Sequence, residues 1–255
     1  MSDRPRDLLD RRDDGPLRIL TLNRPHTLNA FDRSLYDAVA EALDQAGGDD
    51  DVRAVLVTGA GRAFSAGQDL RDFAEPDPSA GGAGGFPAFV RALEGFPKPL
   101  IAAVNGVAVG VGLTMLLHCD MVLVGESARF RAPFVSLGLC PEAGSTALLP
   151  ATIGWQRTAE LLYTDHWIDA VTAVEWGLAT RLEADDDLLD AALALGRTVA
   201  AQPLASLVAT KRLLLAGRAD AVRSAGNREL EVFARLLGGP ANQAALAAFM
   251  TRREP

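Results

Sequence analysis

The sequence predicts an α/β fold, with strand–helix units from residue 17 to about residue 130 and an all-helical C-terminal third. Two observations carry this. Short apolar runs bounded by turn residues recur at residues 17–22, 54–58, 100–104 and 121–125, which is how strands buried in a sheet read. Stretches with apolar residues at helical spacing lie between them, and only such stretches follow residue 145. A third feature concerns chemistry. Two of the strands run straight into glycine-rich corners, one at Gly59-Ala60-Gly61-Arg62 before residues 64–70, the other carrying Gly106, Gly110 and Gly112. A strand, a glycine corner and a helix start together aim free backbone N–H groups at negative charge. Glycine removes the side chain where a ligand nears the backbone. Two such corners outline a two-donor oxyanion hole.

The elements follow in order. The charged start, residues 1–15, reads as frayed, and the first strand ends at the turn signal Asn23-Arg24-Pro25. Asp32 or Ser34 caps a helix through Gln45 with Leu35, Val39, Ala42 and Leu43 on one face. Residues 73–86 are rich in Gly, Pro and Ala with little periodicity, a candidate lid or pocket wall. A helix carrying Phe89, Val90 and Leu93 leads to Lys98-Pro99 and the central strand, and an apolar helical run, residues 113–118, follows the second corner. A short strand at 128–131 and a loop at 133–144 come next. Helices are expected at 146–153, 158–163, 169–176, from caps at 185–187 to Ala201, from Pro203, at 219–237 and at 241–252.

Bulk properties exclude several classes. A formal net charge of −8 argues against nucleic acid or an anionic membrane as the main partner. No apolar run reaches membrane-spanning length, and the N-terminus lacks the apolar core of a signal peptide. Cys119 and Cys140 form no disulfide framework and suit a reducing compartment, so a cytoplasmic protein is expected. No His/Cys/Asp/Glu group has metal-ligand spacing, and Phe64-Ser65-Ala66-Gly67 lacks the first glycine of a nucleophile elbow.

Several segments carry a resemblance. Leu22-Asn23-Arg24-Pro25 with Leu28-Asn29-Ala30, the run from Ala63 to Leu70, Lys98-Pro99 with Val104-Asn105-Gly106, and Cys119-Asp120 are similar to the crotonase (enoyl-CoA hydratase/isomerase) family. Gly138, Pro141, Gly144-Ser145, Trp176-Gly177-Leu178 and Ala209-Thr210-Lys211 extend the likeness to the C-terminus in the family's order. The resemblance implies a spiral of repeated strand–strand–helix units, residues 1–195, and a C-terminal helical trimerisation part, residues 196–255. It also implies a homotrimer or a dimer of trimers. Its substrate would be an acyl-CoA thioester, with coenzyme A part of the substrate and no separate cofactor. The thioester oxygen would be held by the backbone N–H groups of Gln68 and Val111. Val111 replaces the glycine usual in hydratases, and its N–H serves equally well if its φ is negative.

The resemblance also bears on the reaction. Family hydratases use two glutamates, at the positions of Thr114 and Phe134 here, and neither is a carboxylate. The acid at Glu142, in Cys140-Pro141-Glu142-Ala143-Gly144, resembles the catalytic glutamate of a group of Δ3,Δ2-enoyl-CoA isomerases. Related ring-isomerising enzymes of phenylacetate-type pathways carry aspartate there. Double-bond isomerisation needs one base, and an apolar pocket raises a carboxyl pKa toward neutrality. Phe134, Leu139 and Val111 are candidates for that apolar wall. Hydration or other enolate chemistry through Glu142 with an unidentified partner, and a non-catalytic acyl-CoA-binding subunit, are the alternatives.

For coenzyme A, the resemblance places Arg24 near a phosphate and Ala30, Ala66 and Leu70 along the adenine and pantetheine. Gly110 opens the corner to the ligand, while Phe249 and Arg252 reach toward coenzyme A, from the same or the next subunit. Asp69 is expected to fix its loop. His118 reads as a packed core residue, His26 and His166 as loop and turn residues, and Glu75 and Asp77 as solvated acids.

Overall fold

The computed structural model describes residues 8–70 and 85–251. Two sheets organise the core. The larger has six strands in the order β1 (Leu9–Asp14), β2 (Leu17–Leu22), β3 (Ala54–Gly59), β5 (Leu100–Val104), β7 (Met121–Gly125) and β10 (Arg181–Glu183). The smaller has four, in the order β4 (Ala63–Ser65), β6 (Val107–Val109), β8 (Arg129–Arg131) and β9 (Ile168–Asp169). From β3 to β8 each turn of chain lays one strand in the large sheet and the next in the small one. β3–β4, β5–β6 and β7–β8 therefore stack as successive layers of a spiral. This is the α/β crotonase fold, with two mixed sheets and C-terminal helices.

The strand sequences explain the layering. β3 and β5 are buried along their whole length, as parallel strands covered on both faces are. Because side chains alternate, Val55 and Val57 face one apolar cluster with Leu20, Leu22 and Val104, while Ala54 and Leu56 face a second with Leu17, Ile19 and Ile101. The helix Leu188–Ala200 covers the second face through Leu188, Ala192 and Leu193. It lies so close that a Cβ on Gly196 would stand 2.6 Å from Leu17. The helix Arg33–Gly48 covers the other face, capped as expected by Asp32, whose side chain accepts from the Leu35 N–H.

An ion pair, a buried lysine and an asparagine amide fix the crossings. Asp120 accepts from the Leu100 N–H at 2.8 Å and from Lys211 Nζ at 2.5 Å. Lys98 donates to the carbonyls of Ala46 and Asp49. Asn105 donates to Gly59 and Gly61 carbonyls. These residues of the family pattern hold the frame.

The structure differs from the sequence reading in three places. Residues 9–14, read as frayed, form β1, an edge strand antiparallel to β2. Its charged LDRRDD sequence hides it, since an edge strand with one solvated face carries charge. The division at 195/196 falls inside the helix Leu188–Ala200, which packs on the large sheet, so the purely C-terminal helices begin at Leu204. Asp185 accepts from Ser127, while Asp187 stands at the N-cap without a side-chain bond. Most of the stretch 73–86 lies outside the described residues, with Glu75 and Asp77. Among the described residues, no single helix is long and apolar enough to cross a membrane.

Candidate active site

The first corner is stitched together by side chains. Leu28 and Asn29 both adopt left-handed backbone, at φ 54° and 57°, which a non-glycine residue takes up only when held. Asn29 supplies the hold. Its Oδ1 accepts from the Arg24 N–H, its Nδ2 donates to the carbonyls of Ala60 and Ala63, and Ser65 Oγ donates to its carbonyl. Gln68 is then presented by a parallel bridge to Phe31. The Phe31 N–H donates to the Gly67 carbonyl at 2.7 Å, and the Asp69 N–H donates to the Phe31 carbonyl at 2.8 Å. Because neighbouring residues of an extended strand face opposite ways, the Gln68 N–H points away from that bridge. Tyr36 Oη donates to Gln68 Oε1 at 2.8 Å and fixes the side chain as well.

The second corner follows β6. Gly110, at φ 54°, donates its N–H to the Arg131 carbonyl, and its own carbonyl accepts from Leu113 and Thr114. The helix Val111–Thr114 starts there, so the Val111 N–H is one of the donors that a helix leaves without an internal acceptor. Val111 is not among the positive-φ residues, which meets the condition placed on it. Among the described residues, neither the Gln68 nor the Val111 N–H has an acceptor. The two corners touch. A Cβ on Gly67 would lie 2.6 Å from the Val109 carbonyl oxygen, and one on Gly112 would lie 2.7 Å from that of Ser65. Each corner needs glycine because the other's backbone occupies the space.

Glu142 comes from the loop after β8, and its side chain is buried. Thr114, one helical turn beyond Val111, donates its hydroxyl to Glu142 Oε1 at 2.6 Å. Among the described residues, Oε2 is buried without a partner. Burial raises the Glu142 pKa to about 8, against the opposing Thr114 hydrogen bond and with a further push from the charge on Glu229. The loop is pinned by His118, whose Nε2 lies 2.9 Å from the Ala143 carbonyl. Since a carbonyl only accepts, that nitrogen carries the proton. Burial lowers the His118 pKa to about 4, so the ring stays neutral as a core residue.

The other expected site residues fall as follows. Asp69, Ala30, Ala66 and Leu70 all lie on or beside the first corner, where the Ala66 N–H donates to the Leu28 carbonyl. Phe134, Leu139 and Val111 are buried. Arg24, expected to meet a phosphate, is itself buried and engaged. Its guanidinium donates to the Ala30 carbonyl at 2.5 Å and pairs with Asp32 at 3.1 Å and Asp69 at 3.2 Å. Phe249 is 46% exposed on the helix Pro240–Thr251, and Arg252 lies outside the described residues.

Two residues escaped the sequence reading. Thr114 was weighed only as a missing glutamate, although its place one turn after Val111 put a hydroxyl at the right spot. Glu229, buried on the helix Ala219–Leu236, grips the Glu142 loop, and no local signal marked it.

Free N–H donors at two touching corners, with a buried carboxyl of raised pKa whose Oε1 is held by Thr114, suit proton transfer next to a carbonyl. Comparison with known proteins gives the family. The enoyl-CoA hydratase/isomerase family model matches residues 14–255. The chain is 37% identical over 243 residues to the 1,2-epoxyphenylacetyl-CoA isomerase of Escherichia coli K12, covering 92% of each chain. It is 34% identical over 237 residues to that organism's 2,3-dehydroadipyl-CoA hydratase, covering 93% of each. The crystal structure of an enoyl-CoA hydratase/isomerase from Pseudoalteromonas atlantica T6c superimposes with a TM-score of 0.93 at 40% identity, over 97% of this chain and 98% of that one. The chain belongs to the enoyl-CoA hydratase/isomerase family, whose enzymes act on coenzyme A thioesters.

Proposed function

We propose that the protein isomerises an unsaturated acyl-CoA, with Glu142 as its single acid–base and the Gln68 and Val111 N–H groups as the oxyanion hole. The buried, unpartnered Oε2 of Glu142 carries this reading. As a carboxylate, Glu142 takes a proton from C2 of a 3-enoyl-CoA. The electron pair of that C–H bond spreads over C2, C4 and the thioester oxygen, where two N–H donors stabilise the dienolate more than the ground state. Glu142 then returns the proton to C4, leaving a C2=C3 double bond and a carboxylate ready for another turn. A pKa of about 8 suits both halves, since the group gives up and regains a proton near neutral pH.

Thr114 and Phe134 stand where a hydratase would carry its glutamates, which weighs against hydration. A second isomerase reading, rearrangement of a cyclic epoxyacyl-CoA, is favoured by the E. coli isomerase's likeness over 92% of the chain. Glu142 would then act first as an acid.

Coenzyme A would lie along Ala30, Ala66, Leu70 and Gly110, with Phe249 and Arg252 closing over it and Asp69 and Arg24 holding the corner. A trimer or dimer of trimers is supported by exposed apolar residues on the C-terminal helices, among them Leu213, Leu214, Leu230 and Met250. The two unpaired cysteines favour a cytoplasmic location.

The test is solvent-deuterium exchange at C2, with 3-hexenoyl-CoA and a cyclic analogue as substrates. Glu142→Gln should lose exchange while still binding the thioester. Undiminished exchange in that variant overturns the assignment. Absence of exchange in the wild type would indicate a binding subunit, and 3-hydroxyacyl-CoA formed from a 2-enoyl-CoA would indicate a hydratase.

A further inference from the structure

The Glu142 carbonyl accepts from the Ser145 N–H at 3.1 Å and from Ser145 Oγ at 2.5 Å, whereas the Gly144 and Thr146 amides are held from elsewhere. Ala143 and Gly144 are consecutive left-handed residues, at φ 60° and 70°, and the helix Ser145–Ile153 starts from Gly144 with no cap from its own sequence. The missing partner comes from 85 residues away. Glu229 Oε2 accepts from the Gly144 N–H at 2.7 Å, while its Oε1 accepts from the Thr146 N–H at 2.7 Å and from Thr146 Oγ1 at 2.5 Å. The Cys140 thiol lies 3.6 Å from the Glu229 carbonyl, so the same residue touches the loop on both sides of Glu142.

We propose that Glu229 is a positioning residue for Glu142: its carboxylate clamps the main chain of residues 144–146 and so sets the direction of the Glu142 carboxyl. This rests on the reading of Glu142 as the acid–base. Three donors, the Gly144 N–H, the Thr146 N–H and the Thr146 hydroxyl, converge on the two oxygens of Glu229. The reacting oxygen of Glu142 has no bond of its own, so its place is determined by Thr114 on one side and by this main chain on the other. Sub-ångström placement of an acid–base is where catalysis is most sensitive.

The fixed negative charge has a second effect. Across a buried gap it opposes ionisation of Glu142. The other charged or titratable groups around these elements include Cys140, whose thiol is pushed up by burial and by Glu229, His118 on the loop's inner side, Glu94 on the helix Phe86–Gly95, Arg218 at the N-cap of the helix Ala219–Leu236 and Arg223 on it. Glu94 is itself raised by burial and by Glu229, and the two arginines oppose that shift. His118 is neutral at working pH, so the charge of Glu229 adds to burial, the larger cause, in favouring the protonated form of Glu142.

The experiment compares Glu229→Gln with the wild-type enzyme for 3-hexenoyl-CoA turnover and C2 exchange across pH. Glutamine cannot accept from Gly144 and Thr146 together without turning its amide on one of them. The expected result is a fall in kcat of about 30-fold with KM within twofold, and a displacement toward lower pH of the limb that reports Glu142 ionisation. A mere helix cap would lower Tm and leave kcat and the limb unmoved, and that outcome overturns the proposal. If Glu229→Gln does not fold, Thr146→Val removes one of the three contacts. A drop in kcat at constant KM supports the clamp, and an unchanged kcat overturns it. Exchange lost in Glu142→Gln but intact in folded Glu229→Gln refutes only the clamp, whereas exchange intact in Glu142→Gln refutes the acid assignment beneath it.

Discussion

Thr114 Oγ1 donates to Glu142 Oε1 at 2.6 Å, joining the turn that presents the Val111 N–H to the acid. A residue at the position of a hydratase glutamate thus becomes the holder of a different glutamate. The bond favours the ionised form of Glu142 against the burial that disfavours it. Thr114→Val keeps the shape and removes the donor. The limb of kcat/KM that reports Glu142 ionisation should move further alkaline, with activity at pH 7 reduced about tenfold. A pH–rate series on the variant checks this.

Glu142 should also make stability depend on pH. Its folded pKa, about 8, lies above the ordinary 4.5, so the native state holds this proton more tightly than the unfolded chain. The resulting stabilisation is fully present below pH 4.5 and is lost as pH rises through about 8. Glu142→Gln cannot ionise and escapes the loss. Relative to wild type it should gain about 4 kcal/mol on going from pH 4.5 to pH 9. Urea denaturation at both pH values measures the difference.

The two N–H groups proposed as oxyanion donors can be removed one at a time. Val111 is the first residue of its helix, where proline is tolerated, and its N–H has no acceptor in the free protein. Val111→Pro therefore deletes a donor without breaking an internal hydrogen bond. Turnover should fall about 10²- to 10³-fold while the far-ultraviolet circular dichroism spectrum is retained.

Arg24 separates a frame role from a ligand role. A surface phosphate contact predicts weaker binding and unchanged stability on its removal. The buried pairs with Asp32 and Asp69 predict otherwise, because two carboxylates lose their partner. Arg24→Gln should cost about 3–5 kcal/mol in urea denaturation.

Much of this was legible along the chain. The strands Leu100–Val104 and Met121–Gly125 are continuous apolar runs, Leu17–Leu22 is an apolar run interrupted by Arg18 and Thr21, and the Asp32 cap precedes its helix directly. Both glycine corners announce themselves, because close backbone approach tolerates only glycine at Gly67 and Gly112. The edge strand Leu9–Asp14 did not, since its charges suit solvent and its pairing partner alone makes it a strand.

The sequence by itself determined the apolar layers, the corners and the lone acid after Pro141, since periodicity and backbone sterics are local properties. Only the tertiary structure decided what surrounds that acid. Thr114 lies 28 residues from Glu142, and Glu229 lies 83 and 85 residues from the amides it holds, so the spiral alone brings them together. Electrostatics acts through space: burial and a neighbouring charge set the proton affinity of a carboxyl, and neither is written in the residues beside it.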